Sequence, residues 1–175
     1  MKTSEAWWAE TKSDPAAMAS WLRDQYRGEA TAAGRIEALR DAFALPSSRE
    51  HRVLGIIAAQ ERRHAAWVAE LLAARGIEVV VDDIAERYWP EVTKAVLDLA
   101  TGAAVGAHAE RMRLERIEAI ASDPGAPEDV RAVFARILPE ERFHERAFRS
   151  IAGEDAMRRT AHAHALGRAV LGLAP

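Results

Sequence analysis

The chain has 175 residues, of which 49% are apolar and 29% are charged, and its formal net charge is −3. This composition is typical of a soluble, helix-rich domain, and its charge provides no general attraction to nucleic acid or anionic membranes. The sequence contains no cysteine, which excludes disulfides, a thiol nucleophile and Cys-ligated zinc or iron–sulfur centres. Because we find neither a signal peptide nor an apolar stretch of spanning length, we expect a cytoplasmic location and no membrane partner.

The first two long helices are predicted to form a hairpin. Asp14 precedes a proline and is a suitable N-cap for a helix over residues 15–45, which Pro46 ends. Ser47, with a glutamate three residues later, forms a capping box that begins the second helix, and Gly76 is suited to end it. Two long helices joined by so short a turn lie antiparallel.

A second hairpin follows a long connection. Residues 77–89 are predicted to form an extended crossover, because no other segment offers a strand partner. Pro90 is predicted to begin a third helix that ends near Ala121, and Pro127 to begin a fourth that ends near Gly153. Together these elements predict an all-α bundle.

The predicted architecture is a four-helix bundle with one long crossover connection and an extra C-terminal helix. The hairpins cover about 15–76 and 90–153, and the last helix covers about 154–173. With no internal linker, residues 1–175 are expected to form a single domain.

Two Glu-x-x-His pairs interrupt the apolar stripes of the second and fourth helices. They are Glu61 with His64 and Glu141 with His144. Residues three apart share one helix face, so the carboxylate and imidazole of each pair can converge on one ion. One such pair is weak evidence for a metal site, but two pairs on core-facing stripes are stronger evidence.

Each pair gains one more glutamate from its hairpin partner. Residues equally distant from a turn lie at the same height in antiparallel helices, which places Glu29 opposite the first pair and Glu110 opposite the second. Glu37, Glu115 and Glu118 compete for these places, but they would require turns inside the following helix. The similarity between the segments that begin at Glu29 and Glu110 indicates a duplicated hairpin.

Four buried carboxylates at one level require compensating positive charge. Two metal ions would supply it, and a ligand set of carboxylates with one imidazole per ion suits iron or manganese, or zinc without redox chemistry. The alternative is a salt-bridged core without metal. Arg62, Arg111, Arg113 and Arg142 lie nearby in sequence, although mostly off the core-facing stripes.

The six-residue pattern resembles that of the ferritin-like di-iron carboxylate superfamily, most closely its rubrerythrin-like branch. The resemblance covers roughly residues 15–153. It implies that two iron ions are bound by these six residues, that each histidine ligates one ion, that Glu61 and either Glu110 or Glu141 bridge the ions, and that Glu29 is terminal. This chain departs from the family pattern in two ways: it lacks the Cys-rich rubredoxin-type centre, and it has Arg113 where many members carry a further carboxylate.

Three residues near the pattern have two interpretations each. Tyr26 is either a redox or hydrogen-bonding partner of the site or a plain core tyrosine. Glu145 is either a further ligand or support for a ligating histidine, or it forms a solvated pair with Arg149. Pro139 is expected to kink or bulge the fourth helix beside the site, either as a feature of the site or only to let the helix curve.

Residues outside the pattern are expected to be structural. His108, His162 and His164 are predicted to be solvated, and the five tryptophans to pack in the core or form dimer contacts. Small residues before Glu110, among them Ala103 and Gly106, indicate either close helix packing or a substrate pocket.

The leading functional hypothesis is a non-haem di-iron oxidoreductase that reacts with O2, peroxide or a small-molecule substrate. Because the chain lacks a Cys-rich electron-transfer centre, it needs an external electron donor, and we expect it to form a homodimer. One alternative is an all-α interaction or scaffold protein that uses metal only for stability. The other is a ferritin-like hydroxylase of a larger substrate such as RNA, which the net charge of −3 disfavours.

Overall fold

The computed structural model describes residues 3–79 and 86–171, and the described residues form helices and no strands. The elements are α1 (Ser4–Ser13), α2 (Pro15–Phe43), α3 (Arg49–Ala73), α4 (Trp89–Val92), a 3₁₀ turn (Thr93–Ala95), α5 (Leu99–Ser122) and α6 (Glu128–Val170). Within the described ranges, no helix combines the length and the apolar character needed to cross a membrane.

Two helical hairpins form the bundle. Helix α2 pairs with α3, α5 pairs with α6, and the hairpins meet through contacts of α3 with α6 and of α2 with α5. The chain passes between the hairpins through the long segment that separates α3 from α5. Residues 80–85 of the crossover predicted over 77–89 lie outside the described residues. The predicted all-α bundle with one long crossover is confirmed, and a single domain over 1–175 stays a prediction.

The start of α5 differs from the prediction. Pro90 opens only the short helix α4, and α5 begins at Leu99. The reason is a capping box: the Asp98 carboxylate accepts a hydrogen bond from the Thr101 N–H at 2.7 Å, and Thr101 Oγ1 accepts one from the Asp98 N–H at 3.0 Å.

The start of α3 is shifted by one residue from the prediction. Ser48, not Ser47, is the N-cap, and its hydroxyl accepts a hydrogen bond from the His51 N–H at 3.0 Å. Ser47 instead lies in the left-handed region with φ 64°. The predicted end of this helix agrees with the structure: Gly76 has φ 65° and belongs to a Schellman motif in which the Ile77 N–H donates to the Leu72 carbonyl at 3.0 Å.

Helix α1 is an element that the sequence analysis does not predict. It is held against the bundle by tryptophan packing, with the rings of Trp8 and Trp21 edge to face at 5.5 Å. Trp8 Nε1 also donates a hydrogen bond to Asp123 at 2.8 Å, and Lys12 pairs with the same carboxylate at 2.6 Å. The tryptophans at this end of the bundle are therefore packing residues, as one interpretation of the sequence predicts.

Helix α6 changes direction at Gly153. This residue has φ 69° and ψ 164°, so it separates the long fourth helix from the C-terminal helix at the predicted position. The backbone keeps helical angles through Pro139, so the predicted local distortion there is not seen as a break.

The C-terminal segment of α6 packs back onto the second hairpin. The rings of His108 and His164 stack at 4.5 Å, and His164 Nδ1 lies 2.8 Å from the Tyr88 hydroxyl. His108 Nε2 also lies 3.2 Å from Thr160 Oγ1. The prediction that His108 and His164 are solvated is therefore wrong, because the C-terminal segment covers them, whereas His162 is exposed.

Two large apolar clusters lie along the bundle axis, and a smaller one surrounds Tyr88, Val92 and Val105. The tryptophan cluster includes Trp21, Leu71, Ile120 and Phe134. The alanine cluster includes Ala33, Ile57, Ala103 and Phe148. Each of the four long helices contributes to both of these clusters. The part of the bundle between the two clusters is therefore a buried layer that all four helices cross.

Candidate metal centre

All six residues of the predicted pattern lie at the level between the two apolar clusters. Helix α2 supplies Glu29, α3 supplies Glu61 and His64, α5 supplies Glu110, and α6 supplies Glu141 and His144. Glu110 is 6% exposed and the other five side chains are fully buried. The structure thus brings together the residues that periodicity and hairpin reflection select.

The six residues form two overlapping ligand groups. We call the group of Glu29, Glu61, His64 and Glu141 position 1, and the group of Glu61, Glu110, Glu141 and His144 position 2. In each group the ligand atoms lie within 4.8 Å of one another. Glu61 and Glu141 belong to both groups, whereas Glu29 belongs only to position 1 and Glu110 only to position 2.

Position 2 has four buried ligand atoms without hydrogen-bond partners among the described residues. They are Glu61 Oε1, Glu110 Oε2, Glu141 Oε2 and His144 Nδ1. His144 Nδ1 lies 3.2 Å from Glu61 Oε1 and 3.4 Å from Glu141 Oε2. Buried polar atoms without partners are costly, and four that converge on one point fit a bound cation.

Position 1 contains a guanidinium group. Arg113 Nη1 lies 2.9 Å from Glu29 Oε2, 3.4 Å from Glu61 Oε2 and 3.3 Å from Glu141 Oε1. Helix α5 carries Arg113 one turn after Glu110, and the long side chain reaches across to α2. The sequence analysis names Arg113 among the arginines that could compensate the carboxylates, and the structure brings its guanidinium into contact with three of them.

Both ligating histidines are oriented from the opposite hairpin. His64 Nε2 lies 2.9 Å from Glu140 Oε2, and His144 Nε2 lies 3.1 Å from Gln60 Oε1. An imidazole whose Nε2–H donates to one of these oxygens can offer the lone pair of its Nδ1 to a metal ion among the carboxylates, as in histidine ligands of metal sites.

Neither of these supporting residues was predicted from the sequence. The available signal was positional: Gln60 and Glu140 each directly precede the glutamate of a Glu-x-x-His pair. The residue proposed for this role, Glu145, instead pairs with Arg149 at 2.9 Å.

The pKa values divide the carboxylates into two kinds. Burial and the neighbouring carboxylates raise the pKa of Glu61 and Glu110 well above their usual range. Burial also opposes ionisation of Glu141, but the charge of Arg113, with further contributions from the two neighbouring histidines, outweighs it and holds its pKa well below the usual range. Glu141 is therefore ionised at neutral pH, whereas burial and the neighbouring negative charges oppose ionisation of Glu61 and Glu110 despite the nearby Arg113.

A further prediction concerns Tyr26, which lies near the site in sequence. Tyr26 packs against the tryptophan cluster, and the α2 side chain that reaches the site is Gln25, whose Nε2 donates to Glu29 Oε1 at 2.6 Å. These contacts favour the interpretation of Tyr26 as a plain core tyrosine.

The small residues of α5 permit both close packing and a cavity. A methyl group on Gly106 would lie 3.0 Å from the Phe148 ring, and one on Gly102 would overlap Leu39. Both glycines also line an apolar cavity of about 430 Å³ between α2 and α5, whereas Ala103 is buried in the alanine cluster. The glycines of this stripe thus face the cavity one or two turns before Glu110.

Comparison with known proteins agrees with this geometry. The family model described as Rubrerythrin matches residues 21–152, a range that includes all six residues of the two positions and both supporting residues. No curated protein and no solved structure matches the chain. The matched range covers most of the chain, and the chain therefore belongs to the rubrerythrin family of ferritin-like di-iron proteins.

Proposed function

We propose that this protein is a non-haem dimetal oxidoreductase, with iron as the native metal, that reacts with O2 or peroxide. The observation that carries the proposal is the set of unpartnered, buried ligand atoms at position 2. Position 1 lies beside it and has the same residue types, three glutamates and one histidine. Carboxylates with one imidazole per ion suit iron and manganese better than copper.

The proposed roles follow from the two positions. Glu29 and His64 would hold one ion, Glu110 and His144 the other, and the carboxylates common to both groups would bridge them. A pair of ferrous ions held by these residues would supply two electrons for the reduction of a peroxide, or part of the four that O2 requires.

The protein contributes orientation and a water-poor environment. Gln60 and Glu140 hold the two imidazole rings with Nδ1 toward the carboxylates. The two apolar clusters close the site on both sides along the bundle axis, which strengthens the electrostatic interactions inside it.

The electron donor is proposed to be external. The sequence has no cysteine, so this chain holds no Cys-ligated iron centre of its own. A homodimer and a cytoplasmic location remain predictions from the sequence, as does hydroxylation of a larger substrate.

One observation favours the alternative of a metal-stabilised protein without redox turnover. Arg113 supplies one positive charge to the three carboxylates of position 1, so part of their charge is compensated without a metal. In that case metal would raise the melting temperature, and the reduced protein would consume neither O2 nor peroxide.

The test is anaerobic reconstitution with ferrous iron, removal of loose metal, elemental analysis and then mixing with O2 or hydrogen peroxide. The proposal expects more than one iron per chain and rapid oxidation of the bound iron. The matched variants are Glu141→Gln, which alters the site, and Glu145→Gln, which alters a glutamate of the same helix paired with Arg149. Less than half a metal per chain, or bound iron that neither oxidant oxidises, contradicts the proposal.

A further inference from the structure

We propose that Arg113 is a built-in competitor for position 1, so that the two metal positions fill in order: position 2 first and tightly, position 1 only as the arginine withdraws. This inference rests on the dimetal site of the proposed function. Arg113 would thus control how many metal ions the site holds.

The first argument is the identity of the atoms involved. The oxygens nearest to His64 Nδ1 are Glu141 Oε1 at 3.2 Å, Glu29 Oε2 at 3.8 Å and Glu61 Oε2 at 4.0 Å. The same three oxygens surround Arg113 Nη1 at 2.9–3.4 Å. A metal ion bound to these three oxygens and to His64 Nδ1 would need the space among the oxygens that Arg113 Nη1 now fills, so the ion and the guanidinium compete for this position.

The second argument is the contrast with position 2. Both bridging carboxylates direct one oxygen to each position, and only the oxygens at position 1 are hydrogen-bonded. Glu61 Oε1 and Glu141 Oε2, together with Glu110 Oε2 and His144 Nδ1, have no hydrogen-bond partner among the described residues. A cation entering position 2 thus displaces no protein group, whereas one entering position 1 displaces an arginine.

The third argument is charge. One divalent ion at position 2 and the guanidinium at position 1 bring three positive charges to the four carboxylates. Two divalent ions with the guanidinium in place would bring more positive charge than the carboxylates balance, and like charges at such short range repel strongly in a buried site. Full loading therefore favours an arginine that has moved away.

Arg113 has a route out of the site. Its side chain is 20% exposed although its partners Glu29, Glu61 and Glu141 are fully buried. Its Nη2 passes beside Gly28 of α2, where even an added methyl carbon would lie 3.6 Å away. The guanidinium can therefore withdraw along the edge between α2 and α5 without unwinding either helix.

The experiment is an anaerobic titration of the metal-free protein with Co²⁺. Calorimetry measures the affinity of each equivalent, and visible absorption reports the ligand geometry of each bound ion. Wild-type protein is expected to bind one equivalent tightly and a second at least tenfold more weakly. In Arg113→Gln the second equivalent should bind at least tenfold more tightly than in wild type. Arg111→Gln is the matched control, since it removes the same charge from an exposed position of the same helix.

A second variant assigns the steps without changing Arg113. Glu110→Ala removes a ligand of position 2 alone and should abolish the tight step while the weak one persists. Equal affinities for the two equivalents in wild type would overturn the inference and leave the proposed function intact. The same holds if Arg113→Gln is folded by circular dichroism and binds its second equivalent with the wild-type affinity. Failure of the wild-type protein to bind Co²⁺ or Fe²⁺ at all overturns the proposed function as well.

Discussion

His64 Nε2 and Glu140 Oε2 lie 2.9 Å apart, and this contact joins the first hairpin to the second. Its counterpart in the other half of the site joins His144 Nε2 to Gln60 Oε1 at 3.1 Å. The duplicated hairpins therefore support their histidines at equivalent places but with different chemistry. One ring faces a carboxylate and the other faces a neutral amide.

The carboxylate makes the His64 ring the better electron donor. Glu140 also accepts hydrogen bonds from Arg63 at 2.9 and 3.0 Å, which fix its orientation. Although burial opposes ionisation of Glu140, its hydrogen bonds to Arg63 and His64 outweigh that effect and lower its pKa. At neutral pH Glu140 is thus an anion that increases the basicity of His64.

We predict that Glu140→Gln weakens metal binding at position 1 by about 10–100-fold, because loss of such a partner usually has that effect on a ligating histidine. Chelator competition with Co²⁺-loaded protein measures this change for the weaker equivalent. Glu145→Gln on the same helix should leave both equivalents unchanged, since Glu145 pairs with Arg149 away from the site. A Glu140→Gln variant with wild-type affinity would mean that the contact only packs the helices.

The stack of His108 on His164 gives the C-terminal segment a pH dependence. Burial, followed by the charges of His108 and Arg168, lowers the pKa of His164 to about 4. The groups facing His164 are the His108 ring and the Tyr88 hydroxyl, and neither can compensate a positive charge. The folded protein therefore favours the neutral imidazole.

The expected consequence is a loss of stability in mild acid. Because the pKa of His164 is lower in the folded chain than the usual 6.5, its contribution is present above about pH 6.5 and is lost as the pH falls toward 4. Urea unfolding between pH 7 and 4 measures this loss. His164→Gln should reduce its slope, whereas His162→Gln, at an exposed position of the same segment, should not. An identical pH profile for His164→Gln and wild type would show that the stack does not control stability.

The sequence predicts the site residues that lie on the core-facing stripes, and it does not place those that reach the site from other helix positions. Glu61 and His64 point into the core because of their helical phase alone, and their height follows from the length of the turn. Arg113 belongs to the same site through a flexible side chain that crosses from α5 toward α2, and helical phase does not determine such a reach. Glu140 also contacts the site across a helix interface, which requires the packing of α3 on α6 to be known.

The sequence also fails to locate the first residue of two helices, α3 and α5. Both Ser47 and Ser48 can cap a helix, and the sequence does not reveal that the turn after Pro46 puts Ser47 in the left-handed region. The start of α5 was missed because Pro90 is a strong signal for a helix, while the capping box of Asp98 lies inside an apolar run.

The N-cap of α3 allows a direct test of the corrected boundary. We predict that Ser48→Ala destabilises the protein by about 1 kcal/mol, because the hydrogen bond to the His51 N–H is lost. Ser47→Gly should be neutral or stabilising by up to about 1 kcal/mol, because glycine accepts the positive φ without strain. Urea unfolding of both variants decides between the two serines. Greater damage from Ser47→Gly than from Ser48→Ala would restore Ser47 as the cap.

Gly34 and Gly106 both lie inside long helices, but only Gly106 is packed against a neighbouring side chain. Replacing each with alanine therefore distinguishes the effect of close packing from that of helix propensity. Gly34 lies on the exposed face of α2, and an added methyl group there would contact nothing within 4 Å. Gly34→Ala should therefore stabilise the protein by about 0.5–1 kcal/mol, the usual gain from alanine in a helix.

Gly106→Ala should instead destabilise the protein by about 1–2 kcal/mol, because the new methyl group would lie 3.0 Å from the Phe148 ring, and this buried ring would have to shift to accommodate it. Thermal and urea unfolding of the metal-free proteins measure both changes against wild type. If Gly106→Ala is as stabilising as Gly34→Ala, Phe148 yields easily into the neighbouring cavity, and the small residue is not required for packing. In that outcome a slower reaction of the metal-loaded Gly106→Ala variant with hydrogen peroxide, at unchanged metal content, would show that the glycine keeps the cavity open for the oxidant.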